Sequence, residues 1–171
     1  MTAPADLAHA PTSPFEPTDA HARLQRFAGS WQGTTRLWLE PGTPPEETRT
    51  ELHAQLILGG RWLRLEWVGT AFGKPHAGEM LLGFHRDAGE YELAWVDSSH
   101  TGSAIMLSTG PASGEPVVDV VGSYRAGTQR WGWRTRLSCP SPDALAIDAF
   151  NISPEGEEHR AIATLLTRST G

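Results

Sequence analysis

The sequence predicts an all-β fold, an up-and-down antiparallel β-barrel of about ten strands preceded by one short helix. Segments with strand patterning follow one another at short, regular spacing from residue 31 onward, and Gly, Pro, Asp and Ser cluster between them. No helical segment separates these strands, so consecutive strands are expected to pair as antiparallel hairpins. Because an open sheet of this size would expose two long edges, closure into a barrel is favoured.

The beginning of the chain predicts a leader and a helix. Residues 1–17 contain four prolines and no apolar periodicity, which indicates a disordered leader. Thr18 or Asp19 is positioned to cap a short helix over residues 19–29, with a glycine as its stop. The remainder, 18–171, has the length of one barrel domain.

Each strand is predicted from alternating apolar and polar residues between turn residues. The predicted strands are 31–40, 48–58, 61–70, 78–86, 91–97, 103–109, 116–125, 129–138, 144–152 and 158–169. The second alternates most regularly, with apolar residues from Leu52 to Leu58 on one face. The dipeptide Gly59-Gly60 predicts a two-residue hairpin, because a primed turn requires positive φ at both positions.

The composition argues against several classes of protein. A net charge of −6 disfavours a nucleic-acid-binding surface, which requires a concentrated basic face. The single cysteine, Cys139, cannot form an internal disulfide. No apolar stretch is long enough for a signal peptide or a membrane span. We therefore expect a cytoplasmic protein without nucleic-acid or membrane partners. The sequence is compatible with a homodimer and does not decide the oligomeric state.

Seven tryptophans against two tyrosines indicate an aromatic barrel interior. With Trp31 facing inward, the period of two also turns Thr35, Leu37 and Leu39 toward the lumen. In the sixth strand, the side chains that face the lumen are either Met106 or its two neighbours, Ile105 and Leu107. The residues predicted to line the lumen and contact a ligand are Leu65, Trp67, Met80, Leu82, Phe84, Tyr91, Trp95, Asp97, Met106 and Trp133.

A short motif stands at the start of the first strand. Gly29, Ser30 and Trp31 form a Gly-x-Trp motif, which Gly33 extends. The motif resembles the signature of the lipocalin and calycin barrels, and its extended form resembles that of the nitrobindin-like ten-stranded barrels. In lipocalins the Trp lies at the closed end of the barrel, and an Arg of the last strand packs across it. The resemblance implies that Gly29, Trp31, Gly33 and Arg168 form the barrel floor.

A longer resemblance extends over roughly residues 22–169. The segments 24–33, 58–84, 91–97 and 164–168 are similar to a bacterial domain-of-unknown-function family grouped with the calycins. The turn after the fourth strand departs from the family pattern, which usually has Gly-Tyr-Asp there. The family has no assigned activity, so the resemblance implies a fold and no reaction.

The leading functional hypothesis is a binding module that encloses a small, largely apolar molecule in the barrel interior. The alternatives are an enzyme without a cofactor, such as an isomerase or cyclase, and a filled barrel that serves as an interaction domain. Asp97 either caps the loop after the fifth strand or orients the polar end of a ligand. The histidine spacing predicts no metal site. Haem is the disfavoured cofactor, because His85 and His159 take the outward parity of their strands.

Overall fold

The computed structural model describes residues 16–112 and 117–169, so most of the predicted leader lies outside the described residues. One helix, α1 (Asp19–Leu24), continues into a single 3-10 turn (Gln25–Phe27). None of the helical segments in this described part is long and apolar enough to cross a membrane. The strands are β1 (Gly29–Leu37), β2 (Glu46–Ile57), β3 (Trp62–Ala71), β4 (Lys74–His85), β5 (Glu90–Asp97), β6 (Met106–Pro111), β7 (Val117–Ala126), β8 (Gln129–Ser141), β9 (Ala144–Ile152) and β10 (Glu158–Arg168).

The strands form a closed antiparallel barrel. Each strand pairs with its neighbours in sequence, and β1 closes the ring against β10. Trp31 accordingly pairs with Arg168 on one side and with Leu52 on the other. This arrangement confirms the predicted fold class, the number of strands and the short N-terminal helix. Closure also removes the free sheet edges that promote pairing between chains.

The two ends of the barrel differ. At the end where β1 begins and β10 ends, α1 and the 3-10 turn cover the opening and bury Leu24 and Phe27 in the core. Tyr91 reaches this cover from β5 and donates a hydrogen bond to Ala20 O at 3.4 Å. We call this the closed end. The opposite end, where β1 ends and β10 begins, is the mouth.

Alternation along each strand decides which side chains face the lumen. The four inward residues of β5, all at least nine-tenths buried, are Tyr91, Leu93, Trp95 and Asp97. Met106 opens β6 on the inward face and is 4% exposed, whereas Leu107 and the preceding Ile105 face outward. In β5 the interior side chains are those that the period of two predicts.

Two predictions at strand ends are wrong, because the strands end earlier than their apolar pattern. β1 ends at Leu37, so Leu39 is 74% exposed and borders a pocket at the mouth from outside the barrel interior. β2 ends one residue before Leu58, which is exposed and has a positive φ like the two glycines that follow it. The hairpin loop therefore spans residues 58–61 and is not a two-residue turn.

The predicted helix is also too long. The α-helix ends at Leu24, and the chain is already extended at Ala28. Gly29 does not stop the helix but opens β1, with a φ of 139°. The shorter helix and its 3-10 turn are sufficient to place two apolar side chains over the closed end.

Candidate functional site

The mouth opens into a pocket of about 410 Å³. This volume lies in the range of small-molecule sites, about 300–1,000 Å³. Its aromatic wall is formed by Trp38, Phe72, His100, Tyr124 and Trp133. The residue after β1 is held against β10, because the backbone N–H of Trp38 donates to Ala161 O at 2.9 Å.

A smaller chamber of about 40 Å³ lies inside the barrel next to this pocket. Leu37, His76 and Ile162 line both spaces, so the chamber and the pocket adjoin. A β-bulge between Arg160 and Ile162 interrupts the register of β10 at this level, as bulges beside binding sites commonly do. The chamber has room for about three waters or a substituent of a few atoms.

Three threonines form a hydrogen-bonded chain in the chamber wall. The hydroxyl of Thr35 lies 2.7 Å from that of Thr50 and 2.9 Å from that of Thr164. The three residues are 7–9% exposed and come from β1, β2 and β10, which are neighbours in the sheet. The chamber is therefore polar on one side, while Trp67 and Trp95 line its other parts.

Asp97, the last residue of β5, anchors the loop beside the mouth. Its Oδ1 accepts hydrogen bonds from the backbone N–H groups of Ser99 (2.9 Å), Thr101 (3.0 Å) and His100. Its Oδ2 accepts the indole N–H of Trp95 at 2.9 Å. Of the two roles expected for Asp97, this geometry is that of the loop cap, because both oxygens are already engaged inside the protein.

Two titratable groups of the mouth, Asp97 and His100, have shifted pKa values. Burial acts to raise the pKa of the Asp97 carboxyl, but the nearby His76 and the three backbone N–H groups outweigh it and hold this pKa well below its usual range. His76 Nε2 lies 3.8 Å from Asp97 Oδ2. Burial lowers the pKa of His100, against the raising effect of the Asp97 carboxylate. The mouth at pH 7 therefore combines one stabilised carboxylate with a neutral imidazole at His100.

The aromatic wall of the mouth is tightly packed. The ring of His100 lies 4.2 Å from that of Trp133, at an interplanar angle of 35°. Trp95 meets Trp133 edge to face at 5.6 Å. Tyr124 donates a hydrogen bond to Asn151 Oδ1 at 2.7 Å, and burial raises the pKa of its phenol. These contacts hold the rings in fixed orientations, and their geometry is typical of favourable aromatic pairs.

Two buried polar atoms of the mouth, His76 Nε2 and Trp133 Nε1, have no hydrogen-bond partner among the described residues. A buried donor or acceptor without a partner costs about 1–3 kcal/mol. Such atoms mark positions where a bound molecule could supply the missing partner. Within the same described ranges, no three His, Cys, Asp or Glu side chains are grouped so that they could hold a metal ion.

The structure distributes the predicted ligand contacts between the cavities and the core. Trp67, Met80 and Trp95 line the chamber, and Asp97 and Trp133 line the mouth. The remaining five line neither space and pack within the core cluster or against it: Leu65, Leu82, Phe84, Tyr91 and Met106. Side chains therefore fill the barrel away from the mouth.

Several residues of the mouth were not predicted from the sequence. His76 is missed because β4 begins at Lys74, earlier than predicted. Extending the alternation of β4 backward from Met80 through Gly78 would have placed His76 inward. His100 belongs to an irregular loop, where no periodicity exists to reveal its direction.

The motif residues meet at the closed end. The guanidinium of Arg168 lies 4.1 Å from the centre of the Trp31 ring, which is the predicted contact. Arg168 Nη1 also donates to Ala28 O at 2.9 Å. The indole N–H of Trp31 donates to Phe27 O at 2.9 Å. Both aromatic and cationic partners are thus hydrogen-bonded to the backbone that leads into β1.

The two glycines of the motif are required for different physical reasons. Gly29 has a φ of 139°, and a Cβ there would collide with the guanidinium of Arg168. At Gly33 a Cβ would collide with the backbone carbonyl of Leu165 in the neighbouring strand. The motif therefore encodes close approaches between β1 and β10 at the closed end.

The fold and the site define a class: a closed ten-stranded β-barrel with one covered end and an aromatic mouth of ligand size. The chain belongs to a family described as Protein of unknown function (DUF1579), whose sequence pattern matches residues 16–168. No curated protein matches the chain significantly. The family assignment confirms the predicted membership of an uncharacterised barrel family.

Solved structures with a similar fold include two proteins of low sequence identity. Rv2717c from M. tuberculosis has a TM-score of 0.60 at 20% sequence identity, over 91% of this chain and all of that chain (100%). The S-type phycobiliprotein lyase CPES from Guillardia theta has a TM-score of 0.55 at 12% identity, over 91% of this chain and 99% of that chain. At these identities the likeness shows a shared barrel fold alone.

Proposed function

We propose that this protein is a calycin-like binding module that holds a small, largely apolar molecule in the mouth of its barrel. The mouth pocket has the volume of such a molecule, and six aromatic rings, counting the two imidazoles, line it. The shared fold with a phycobiliprotein lyase agrees with a ligand-binding role for the barrel. Because the walls are aromatic, a flat aromatic compound gains stacking and edge contacts that an aliphatic chain does not.

The observation that carries the proposal is Trp133, which lines the pocket of about 410 Å³ and whose buried indole N–H has no hydrogen-bond partner among the described residues. In a ligand-free barrel this donor is a standing cost of about 1–3 kcal/mol. A ligand with an acceptor atom removes that cost while its ring covers the aromatic wall. The imidazole of His76, whose Nε2 has no hydrogen-bond partner among the described residues, offers a second polar contact.

The expected affinity is moderate. Burying about 300 Å² of apolar ligand surface contributes about 7–8 kcal/mol at ~25 cal/mol per Å², before the costs of association. Such a free energy corresponds to micromolar binding at best. Tighter binding would require polar contacts beyond those of Trp133 and His76.

The test is a titration of tryptophan emission with fatty acids, flavonoids, naphthalene derivatives and haem. We expect at least one flat aromatic compound to change the emission with a micromolar Kd, and Trp133→Leu to weaken it about tenfold or more. The matched control is Trp62→Leu, because Trp62 is 36% exposed on the outer face of β3. If no compound changes the emission of the wild-type protein, the proposal is wrong.

A further inference from the structure

The volume and lining of the inner chamber indicate which chemical group of a ligand fits there. The chamber adjoins the mouth, because Leu37, His76 and Ile162 line both spaces, so it is a candidate site for a group that projects from a ring in the mouth. With a volume of about 40 Å³, it admits a substituent of a few heavy atoms and excludes a second ring.

The threonine chain in the chamber wall contains one more hydroxyl hydrogen than its two hydrogen bonds use. Three hydroxyls supply three hydrogens, but the contacts of Thr35 with Thr50 and Thr164 use only two of them. Whichever way the two bonds run, one hydroxyl hydrogen remains without an acceptor among these residues. All three threonines line the chamber, so the remaining donor belongs to the chamber wall.

The chamber also selects against charge. Its lining consists of threonines, apolar side chains, two indoles and His76, and it contains no Lys or Arg. A carboxylate there would lose its hydration without gaining a cation, which is far more costly than burying a neutral oxygen. The Asp97 carboxylate lies 3.8 Å from His76 Nε2 in the chamber lining, and it would repel a second anion.

We infer that the chamber is a subsite for a neutral oxygen-bearing substituent, such as a ketone, aldehyde or hydroxyl, on the ring held in the mouth. This inference rests on the proposed function and adds a ligand class to it: an aromatic compound with a short, uncharged, oxygen-bearing side group. The oxygen end enters first and accepts the hydrogen that the threonine chain leaves over.

The test compares 2-acetylnaphthalene with 2-ethylnaphthalene, which have nearly the same shape and differ in one carbonyl oxygen. The variant Thr35→Val/Thr50→Val/Thr164→Val keeps the shape of the chamber and removes its hydroxyls. We expect the ratio of the two dissociation constants, measured by calorimetry, to shift about tenfold in favour of the ethyl compound in this variant. The control, Thr34→Val/Thr167→Val, changes the outer face of β1 and β10 and should leave the ratio at its wild-type value.

A second measurement does not depend on the triple variant folding. The carbonyl stretch of bound 2-acetylnaphthalene, recorded by isotope-edited infrared spectroscopy, should lie below its position in hexane, both in wild type and in Trp133→Phe. A hexane-like frequency, or an unchanged ratio in a folded triple variant, would overturn the inference while leaving ring binding intact. Failure of both naphthalenes to bind, together with the other aromatic probes, would instead overturn the proposed function and the inference with it.

Discussion

The closed end and the mouth of the barrel both contain buried indole groups, but they differ in whether the polar atoms have hydrogen-bond partners. At the closed end, the indole N–H of Trp31 and the guanidinium of Arg168 donate to backbone carbonyls at 2.9 Å. At the mouth, the indole N–H of Trp133 has no hydrogen-bond partner among the described residues, and His76 Nε2 lies 3.8 Å from the Asp97 carboxylate, beyond hydrogen-bond distance. Satisfied polar groups indicate a region optimised for stability, and unsatisfied ones indicate a region kept for another purpose.

The largest expected effect breaks the closed end. Trp31→Ala removes a fully buried indole and its contact with Arg168, so we expect a loss of about 3–5 kcal/mol in the free energy of unfolding. Denaturant unfolding followed by far-UV circular dichroism measures it. Trp38→Ala is the counterpart at the mouth, and because Trp38 is only partly buried it should cost less than half as much. Equal losses at the two positions would remove the distinction between the ends.

A smaller effect concerns the anchor of the mouth loop. Asp97→Asn replaces a carboxylate that accepts four hydrogen bonds. One oxygen becomes an amide N–H₂, which cannot accept a hydrogen bond from either the Trp95 indole or the backbone N–H groups. We therefore expect a loss of about 2–3 kcal/mol in the free energy of unfolding at pH 7. The pKa of this carboxyl is lower in the folded than in the unfolded protein. Its contribution is therefore complete above about pH 4 and declines as the pH falls further. Unfolding titrations at pH 7 and pH 3 should show the difference between wild type and variant narrowing. A difference that stays constant would contradict the ionised cap.

The smallest effect separates the two kinds of indole most directly. Trp31→Phe and Trp133→Phe each remove an N–H and keep an aromatic ring. The first breaks a hydrogen bond to Phe27 O and should cost about 1 kcal/mol more than the second, which removes a donor that has no partner. The two variants are compared by thermal unfolding of the ligand-free protein. If Trp133→Phe proves the more destabilising, the mouth indole has a partner and the contrast fails.

Sequence patterning was sufficient for the barrel because alternation and turn residues are local signals. The period of two correctly turned Trp95, Met106 and Trp133 inward, and the Gly-x-Trp motif led to the contact between Trp31 and Arg168. The errors at Leu39 and Leu58 have one cause. Apolar residues continue the pattern past the point where the strand ends, and pairing partners, not local sequence, decide where that is.

The site was less predictable, because it depends on which strands become neighbours. Thr35 was expected inside the barrel, but its chain with Thr50 and Thr164 requires the pairing of β1 with both β2 and β10. His100 lies on Trp133 because the Asp97 carboxylate folds the intervening loop, a constraint without periodicity. Whether Phe84 and Tyr91 line a cavity or fill the barrel depended on the volume left by other side chains, which no single strand contains.

The pairing of Trp31 with Arg168 joins the first strand of the barrel to the last. During synthesis, β1 therefore emerges long before its partner β10, at about 5–20 residues per second. For roughly ten seconds one side of β1 has no strand to pair with, and the apolar lumen stays open to other nascent chains. The folded barrel has no free sheet edge, but the incomplete chain has one during synthesis. A free edge can pair with another chain, so delayed translation of the final strand should raise the risk of aggregation.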